Sequence, residues 1–185
     1  MGSISIDSLF ILIISAIWVM LPAYLPNPVA AATGGGRPID GGRYWGDGRR
    51  VFGDGKTIRG LIFGIGGGIL FGLLQILARS ELDLSFLPEH TLLSVLLLST
   101  GALFGDLGKS FLKRRCNIGR GEKWPIADQY DLVIGGFILL LLIDPAWVLR
   151  TITLPIALAI LIITPLLHRG ANILGYILGI KEVPW

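Results

Sequence analysis

Five long apolar stretches constrain this chain more than anything else in it. They run from about Ser8 to Ala31, Ile58 to Ala78, Thr91 to Gly108, Leu132 to Leu149 and Thr151 to Leu167. Crossing about 30 Å of hydrocarbon takes roughly 20 apolar residues wound as a helix, because no water is present there to satisfy a backbone N–H or C=O. Only 16% of residues are charged, against about a quarter in a soluble domain. The stretches leave no segment long enough for a separate soluble unit. Residues 1–185 are therefore expected to form one all-α integral membrane domain with five transmembrane helices.

Local chemistry sets the expected breaks. Pro22, Pro26 and Pro28 should bend or end the first helix, and Pro155 and Pro165 should kink the fifth. The fourth and fifth meet through Asp144-Pro145 to Arg150, which predicts a tight hairpin. Ala171 to Trp185 is apolar but short and broken by glycine, which predicts a membrane-surface helix ending in an interfacial Trp. No Lys or Arg precedes the first apolar run, so an uncleaved first helix is expected rather than a signal peptide. The lone Cys116 has no second thiol for a disulfide or a zinc site.

The cations are unevenly placed. Arg37, Arg43, Arg49, Arg50 and Lys56 lie between the first two helices, and Lys109, Lys113, Arg114, Arg115, Arg120 and Lys123 between the third and fourth. The other two loops hold only Arg79 and Arg150. The positive-inside rule then predicts two cytoplasmic polar loops, with the N-terminus outside and the C-terminus inside. Arg169 and Lys181 agree.

The second helix carries Gly60, Gly64, Gly68 and Gly72, one every fourth residue, and Gly101, Gly105 and Gly108 make a second stripe. Such ridges allow close helix approach, so packing is the expected role for both.

The two cytoplasmic segments hold the candidate chemistry. The first, Gly41 to Arg59, interleaves glycines with cations; glycine frees backbone amides to approach phosphate. A flexible solvated loop that binds head groups would explain its charge, but not its Trp, Phe and Gly-Asp-Gly units. Gly55-Lys56-Thr57 ends like a P-loop, yet the position five before Gly55 is Arg50 and no strand precedes it, so that motif is rejected.

In the second segment Asp106 sits inside the apolar third helix, where an ionised group is costly unless paired or bound to a cation. Asp128 and Asp131 are spaced i, i+3 at the start of the fourth helix and share a face; helix capping alone would also account for them. Ser110 and Lys109 add donors beside the run Lys113-Arg114-Arg115, which by itself is ordinary topological charge. Together, three carboxylates beside phosphate-binding cations suit a hard ion such as Mg²⁺, which binds carboxylate and substrate phosphate oxygens at once. His90 and His168 have no partner at metal-ligand spacing and are expected at the interfaces.

Ser110-Phe-Leu-Lys113-Arg114, followed by Pro125 and then Asp128-Gln129-Tyr130-Asp131, resembles the signature of the CDP-lipid synthases. Gln129 stands where that signature has arginine, and no His-Gly-Gly follows the proline. With Arg49-Arg50-Val51-Phe52-Gly53-Asp54-Gly55-Lys56-Thr57 and Gly105-Asp106-Leu-Gly-Lys-Ser110, the chain looks like the archaeal CDP-archaeol synthase branch. That resemblance implies cytidylyl transfer from CTP to 2,3-di-O-geranylgeranylglyceryl 1-phosphate, giving CDP-archaeol and pyrophosphate, with Mg²⁺ required, in an archaeal cell membrane.

On this reading Asp106, Asp128 and Asp131 hold the metal ions, and with Lys113 form the catalytic set. Arg49, Arg50, Lys56, Thr57, Ser110 and Arg114 bind the CTP phosphates or the lipid phosphate. The expected partners are CTP, a prenylated glycerol-phosphate lipid and the membrane, with no nucleic acid and no protein partner. Lipid chains are expected in grooves beside the glycine ridge, entered laterally between helices. Two alternatives stay open: a CTP-dependent lipid-alcohol kinase, and a small transporter in which Asp106 binds a coupled ion.

Overall fold

The structure, a computed structural model, describes residues 6–119, 121–180 and 182–184; Arg120, Lys181 and Trp185 of the expectations above lie outside them. The helices are α1 (Ile6–Tyr24), α2 (Pro26–Thr33), α3 (Ile58–Glu81), α4 (Leu92–Arg115), α5 (Ala127–Ile143), α6 (Pro145–Thr151) and α7 (Leu154–Ile177). Among the described residues no strand forms; the loop 34–57 carries two isolated bridges, Pro38 with Thr57 and Tyr44 with Arg50. The α1–α2 unit, α3, α4 and α7 are each long and apolar enough to cross a membrane, and α5 with α6 makes a fifth crossing if that bent pair is taken together.

Of the prolines expected to bend or end the first helix, Pro26 opens α2 after a break at Leu25, whereas Pro22 is accommodated within α1 and Pro28 within α2. Pro155 does not kink α7: it occupies the first turn, where its missing N–H costs nothing. Each interior proline leaves the carbonyl four residues earlier without its helical donor, a serious cost in lipid. The fold supplies those donors from other helices. Gln75 of α3 donates to Trp18 O at 2.8 Å and His90 Nε2 approaches the same oxygen at 3.3 Å, opposite Pro22. Ser99 of α4 donates to Pro22 O at 3.1 Å, opposite Pro26. Tyr130 of α5 donates to Leu161 O at 2.8 Å, opposite Pro165.

Helix α4 does not end where its apolar run ends. It continues about two turns past Gly108 to Arg115, so Lys109, Lys113, Arg114 and Arg115 are helical rather than looped. Lys and Arg are good helix formers and are favoured near a helix C-terminus by the macrodipole. Asn117, at φ 60°, stops the helix, with Ile118 N donating to Lys113 O at 2.9 Å.

Helix α5 starts five residues before Leu132 and stops at Asp144, and α6 leaves it at 116°. Asp144 caps α6 by accepting from Trp147 N at 3.1 Å. Helix α7 runs unbroken to Ile177, so residues 171–177 extend a transmembrane helix instead of forming a separate surface helix.

The glycine ridge is filled by packing. A Cβ on Gly68 would meet Ser99 Oγ at 2.6 Å and Pro22 O at 2.7 Å, and one on Gly72 would meet Val95 Cγ1 at 2.3 Å. Helix α3 is thus clasped by α1–α2 and α4 at these glycines, while Gly60, at the start of the ridge, lines a cavity. In the second stripe Gly101 and Gly105 seat α4 against Gly135 and Asp131 of α5, whereas Gly108 faces open space. The core of Val19, Met20, Leu98, Leu140, Trp147 and Ile160 fills the space between these helices.

Candidate active site

The backbone contact at Gly105 positions the site. A Cβ there would lie only 2.0 Å from Asp131 O, so α4 and α5 touch main chain to main chain. On α4 the spacing of Asp106, Lys109 and Lys113 puts all three on one face, and on α5 Asp128 and Asp131 share another. The close approach brings the two faces together. At the start of α5 a tight turn centred on Ile126 (φ 72°), closed by Ala127 N donating to Pro125 O at 2.9 Å, aims Asp128 at α4.

The result is an alternating string of charges. Lys56, from the end of the loop 34–57, donates to Asp106. Lys109 Nζ stands 3.1 Å from Asp106, 2.6 Å from Asp131 and 3.5 Å from Asp128. Lys113 Nζ lies 2.7 Å from Asp128 Oδ1 and donates to Glu122 O at 2.8 Å. Asp128 also accepts from Trp124 N at 2.7 Å, tying the chain before α5 to the site. Asp106 and Asp131 are buried. Three ammonium groups and three carboxylates thus compensate one another where α4 and α5 enter the bilayer, which resolves the cost of placing them there.

This brings Asp106, Asp128, Asp131, Lys56 and Lys113 together, as the sequence suggests. Lys109, expected only as one donor beside Ser110, is the centre of the cluster. Its spacing of three from Asp106 was the available signal; its contact with Asp131 depends on the α4–α5 register, which no local pattern reports.

The other expected phosphate binders are placed differently. Arg50 is committed to Asp40 at 2.7 Å and to Asp54 at 2.6 Å. Arg49 donates to Arg115 O at 2.9 Å and Arg114 O at 3.3 Å, so it caps the C-terminus of α4. Arg115 answers by donating to Arg50 O at 2.8 Å and pairing with Asp47 at 2.8 Å, while stacking on Phe111, which meets Trp45 edge-on. Thr57 is the N-cap of α3, accepting from Gly60 N at 3.1 Å. Ser110 is buried one turn beyond Asp106, and Arg114 Nε is buried without a hydrogen-bond partner.

Asp40, which no sequence pattern marked, organises the loop 34–57. Its carboxylate accepts from the N–H groups of Gly42 (3.0 Å), Phe52 (3.0 Å) and Gly53 (2.9 Å) and from Arg50. Burial alone would raise its pKa, but Arg50 and these amides hold it well below the usual carboxylate range. The loop is therefore a built structure clamped onto the end of α4, not a flexible solvated one.

Lys56, Thr57, Asp106 and Lys109 line one end of a cavity of about 710 Å³. Its remaining walls are mostly apolar and come from α1, α2, α3, α4, α5 and α7, with Leu21, Leu61, Leu103, Leu132, Leu166 and Leu174 among them. His168, expected merely at the interface, also lines it. The cavity joins a charged site to an apolar cleft between helices, which suits a ligand with a polyanionic end and a hydrocarbon end.

Among the described residues no three His, Cys, Asp or Glu side chains stand close enough to hold one metal ion together. The carboxylates are instead spread around the Lys109 ammonium. Their hard oxygens still suit Mg²⁺, which commonly takes one or two carboxylates and completes its shell with phosphate oxygens and water.

The comparisons with known proteins agree with this architecture. A family model described as CarS-like CDP-archaeol synthase matches residues 9–185. The CDP-archaeol synthase of Methanoculleus marisnigri is 61% identical over 166 residues, covering 90% of this chain and 100% of its own. That of Methanosarcina barkeri is 48% identical over 175 residues, with the same coverage. A solved structure described as an intramembrane enzyme for archaeal membrane lipids biosynthesis superposes with a TM-score of 0.70 at 36% identity, covering 87% of this chain and 94% of that one. With a family match over nearly its whole length, and with charged site and apolar cleft meeting in one helical bundle, the chain belongs to the CDP-archaeol synthase family.

Proposed function

We propose that this enzyme transfers the cytidylyl group of CTP to the phosphate of a digeranylgeranyl glycerol 1-phosphate ether lipid, releasing pyrophosphate and forming CDP-archaeol. The observation that carries the reading is the cavity in which the Lys56–Asp106–Lys109 end opens into an apolar cleft. The lipid phosphate already bears a nucleophilic oxygen, so no general base is required. Catalysis then consists of bringing two polyanions together and stabilising charge as pyrophosphate leaves.

In this reading Lys56, Lys109, Lys113 and Arg114 neutralise phosphate oxygens at the charged end, and the prenyl chains lie in the cleft between α1–α2 and α7. The carboxylates of Asp106, Asp128 and Asp131, one or two to an ion, would hold Mg²⁺, which supplies charge neutralisation on the triphosphate when bound. The cations of the loop 34–57 and of the end of α4 support a site on the cytoplasmic side of the cell membrane, where CTP is available, with the N-terminus outside.

Transfer of label from CTP tests the reading. Detergent-purified protein with Mg²⁺ and the ether-lipid acceptor should move α-³²P into the chloroform phase, and Asp131→Asn or a chelator should stop it. Entry of γ-³²P instead would establish the lipid-alcohol kinase. Movement of neither label, in a folded preparation offered several prenylated acceptors, would overturn the enzymatic reading in favour of transport.

A further inference from the structure

The charge count at the site poses a problem for the reaction. Lys56, Lys109 and Lys113 already balance Asp106, Asp128 and Asp131, so the cluster as it stands has no net charge with which to draw in a nucleoside triphosphate. Nor does it have room for a second cation: the point toward which the carboxylates of Asp106 and Asp131 both turn is held by Lys109 Nζ, at 3.1 and 2.6 Å. A divalent ion added beside an unmoved ammonium would face direct repulsion at low local dielectric.

The side chain of Lys109 can resolve this. It lines the cavity, so its ammonium has polar space to turn into without crossing lipid. Lysine carries a point charge with three rotatable donors on a flexible stem, and satisfies a phosphate as readily as a carboxylate. The anchoring helix cannot move to do the same, because Gly105 seats it on the α5 backbone.

We propose that Lys109 is the resident counter-cation of this site: it holds Asp106 and Asp131 together while the site is empty, and gives up its place to the divalent ion that arrives with the nucleotide, its ammonium passing to the phosphates. The last step rests on the proposed CTP chemistry; the displacement of one cation by another does not. Lysine here prevents the carboxylates from capturing a divalent ion in the absence of nucleotide, so metal and CTP enter together.

The test measures binding of Mn²⁺ alone, without nucleotide or lipid, from the loss of the free-ion electron paramagnetic resonance signal in detergent. Lys109→Met should bind Mn²⁺ about tenfold or more tighter than the wild-type protein, because the ammonium between the two carboxylates is gone, Asp131 loses its cation and the cluster is left with one net negative charge. Its melting temperature should fall without divalent ions and recover when Mn²⁺ is added, whereas the wild-type protein should respond little to Mn²⁺ by itself. Adding Asp131→Asn to Lys109→Met should abolish the gain. Should Lys109→Met fail to purify folded, Lys109→Gln, which retains polar donors in the pocket, is held to the same tenfold gain. Weaker or unchanged Mn²⁺ affinity in a folded variant overturns the proposal, since a purely structural lysine would give that result. Cytidylyl transfer by the wild-type protein is scored separately, so failure of the functional reading and failure of the displacement are distinguishable.

Discussion

Replacing Gly105 with alanine adds one methyl group where α4 meets α5. That carbon would sit 2.0 Å from Asp131 O, while ordinary contact begins at 3.4 Å, so the α5 backbone must retreat by about 1.4 Å. The obstacle is main chain, which cannot rotate away as a side chain would. Asp131 belongs to the same backbone unit, so its carboxylate withdraws too, stretching the 2.6 Å contact with Lys109 toward about 4 Å, the limit of an ion pair. Overpacking of this kind costs about 1–3 kcal/mol. Turnover should suffer more than stability, because a displacement of about 1 Å among reacting groups lowers rates by about 10²-fold. The assay is α-³²P transfer from CTP into lipid, beside thermal unfolding in the same detergent. Gly108→Ala is the control: it meets open space three residues along the same helix and should melt no lower than the wild-type protein. Wild-type turnover and melting in Gly105→Ala would refute the idea that this contact sets the geometry of the site.

Other outcomes follow from single contacts. Asp40→Ala leaves the amides of Gly42, Phe52 and Gly53 without their acceptor and Arg50 with Asp54 alone; about 1–3 kcal/mol of local stability should go, seen as faster hydrogen exchange across residues 42–53. Burial pushes the pKa of His90 down from 6.5 to about 4, so the folded protein binds fewer protons than the unfolded chain between those values. Stability should therefore be complete above about pH 6.5 and fall by about 3 kcal/mol as pH drops to about 4; a His90→Gln variant whose stability declines equally over that window would contradict this. Tyr130→Phe removes the donor to Leu161 O and should cost about 1–2 kcal/mol, measured by melting, with transfer activity retained at reduced temperature.

The spans were legible because hydrocarbon thickness translates directly into run length, and the α3 glycines announced close packing at a spacing only helices use. What escaped was whatever depended on register between elements. Lys109 reads as one more cation in a basic run until Gly105 fixes which residues of α5 face it. Asp40 reads as an ordinary loop acid, since its partners lie up to 13 residues away and meet only when the loop closes. Arg49 and Arg50 looked like phosphate binders because charge reports attraction to anions, and the nearest acceptors turned out to be this chain's own carbonyls and carboxylates. The end of α4 was missed because hydropathy marks where lipid contact stops, whereas the helix stops at Asn117 for conformational reasons.

The borrowed donors opposite the prolines carry a consequence for biogenesis. Chains enter the membrane from the N-terminus, so α1 is placed in lipid before α3 and α4 have been synthesised. Until then the carbonyls of Trp18 and Pro22 lack the Gln75 and Ser99 side chains that satisfy them in the finished protein. A nascent first span is therefore the least lipid-compatible form of that helix; arrival of the second span removes the defect at Trp18 and arrival of the third the defect at Pro22. The order of synthesis and the order of stabilisation coincide, which gives the half-made protein a built-in preference for recruiting its own next helices over a neighbour's.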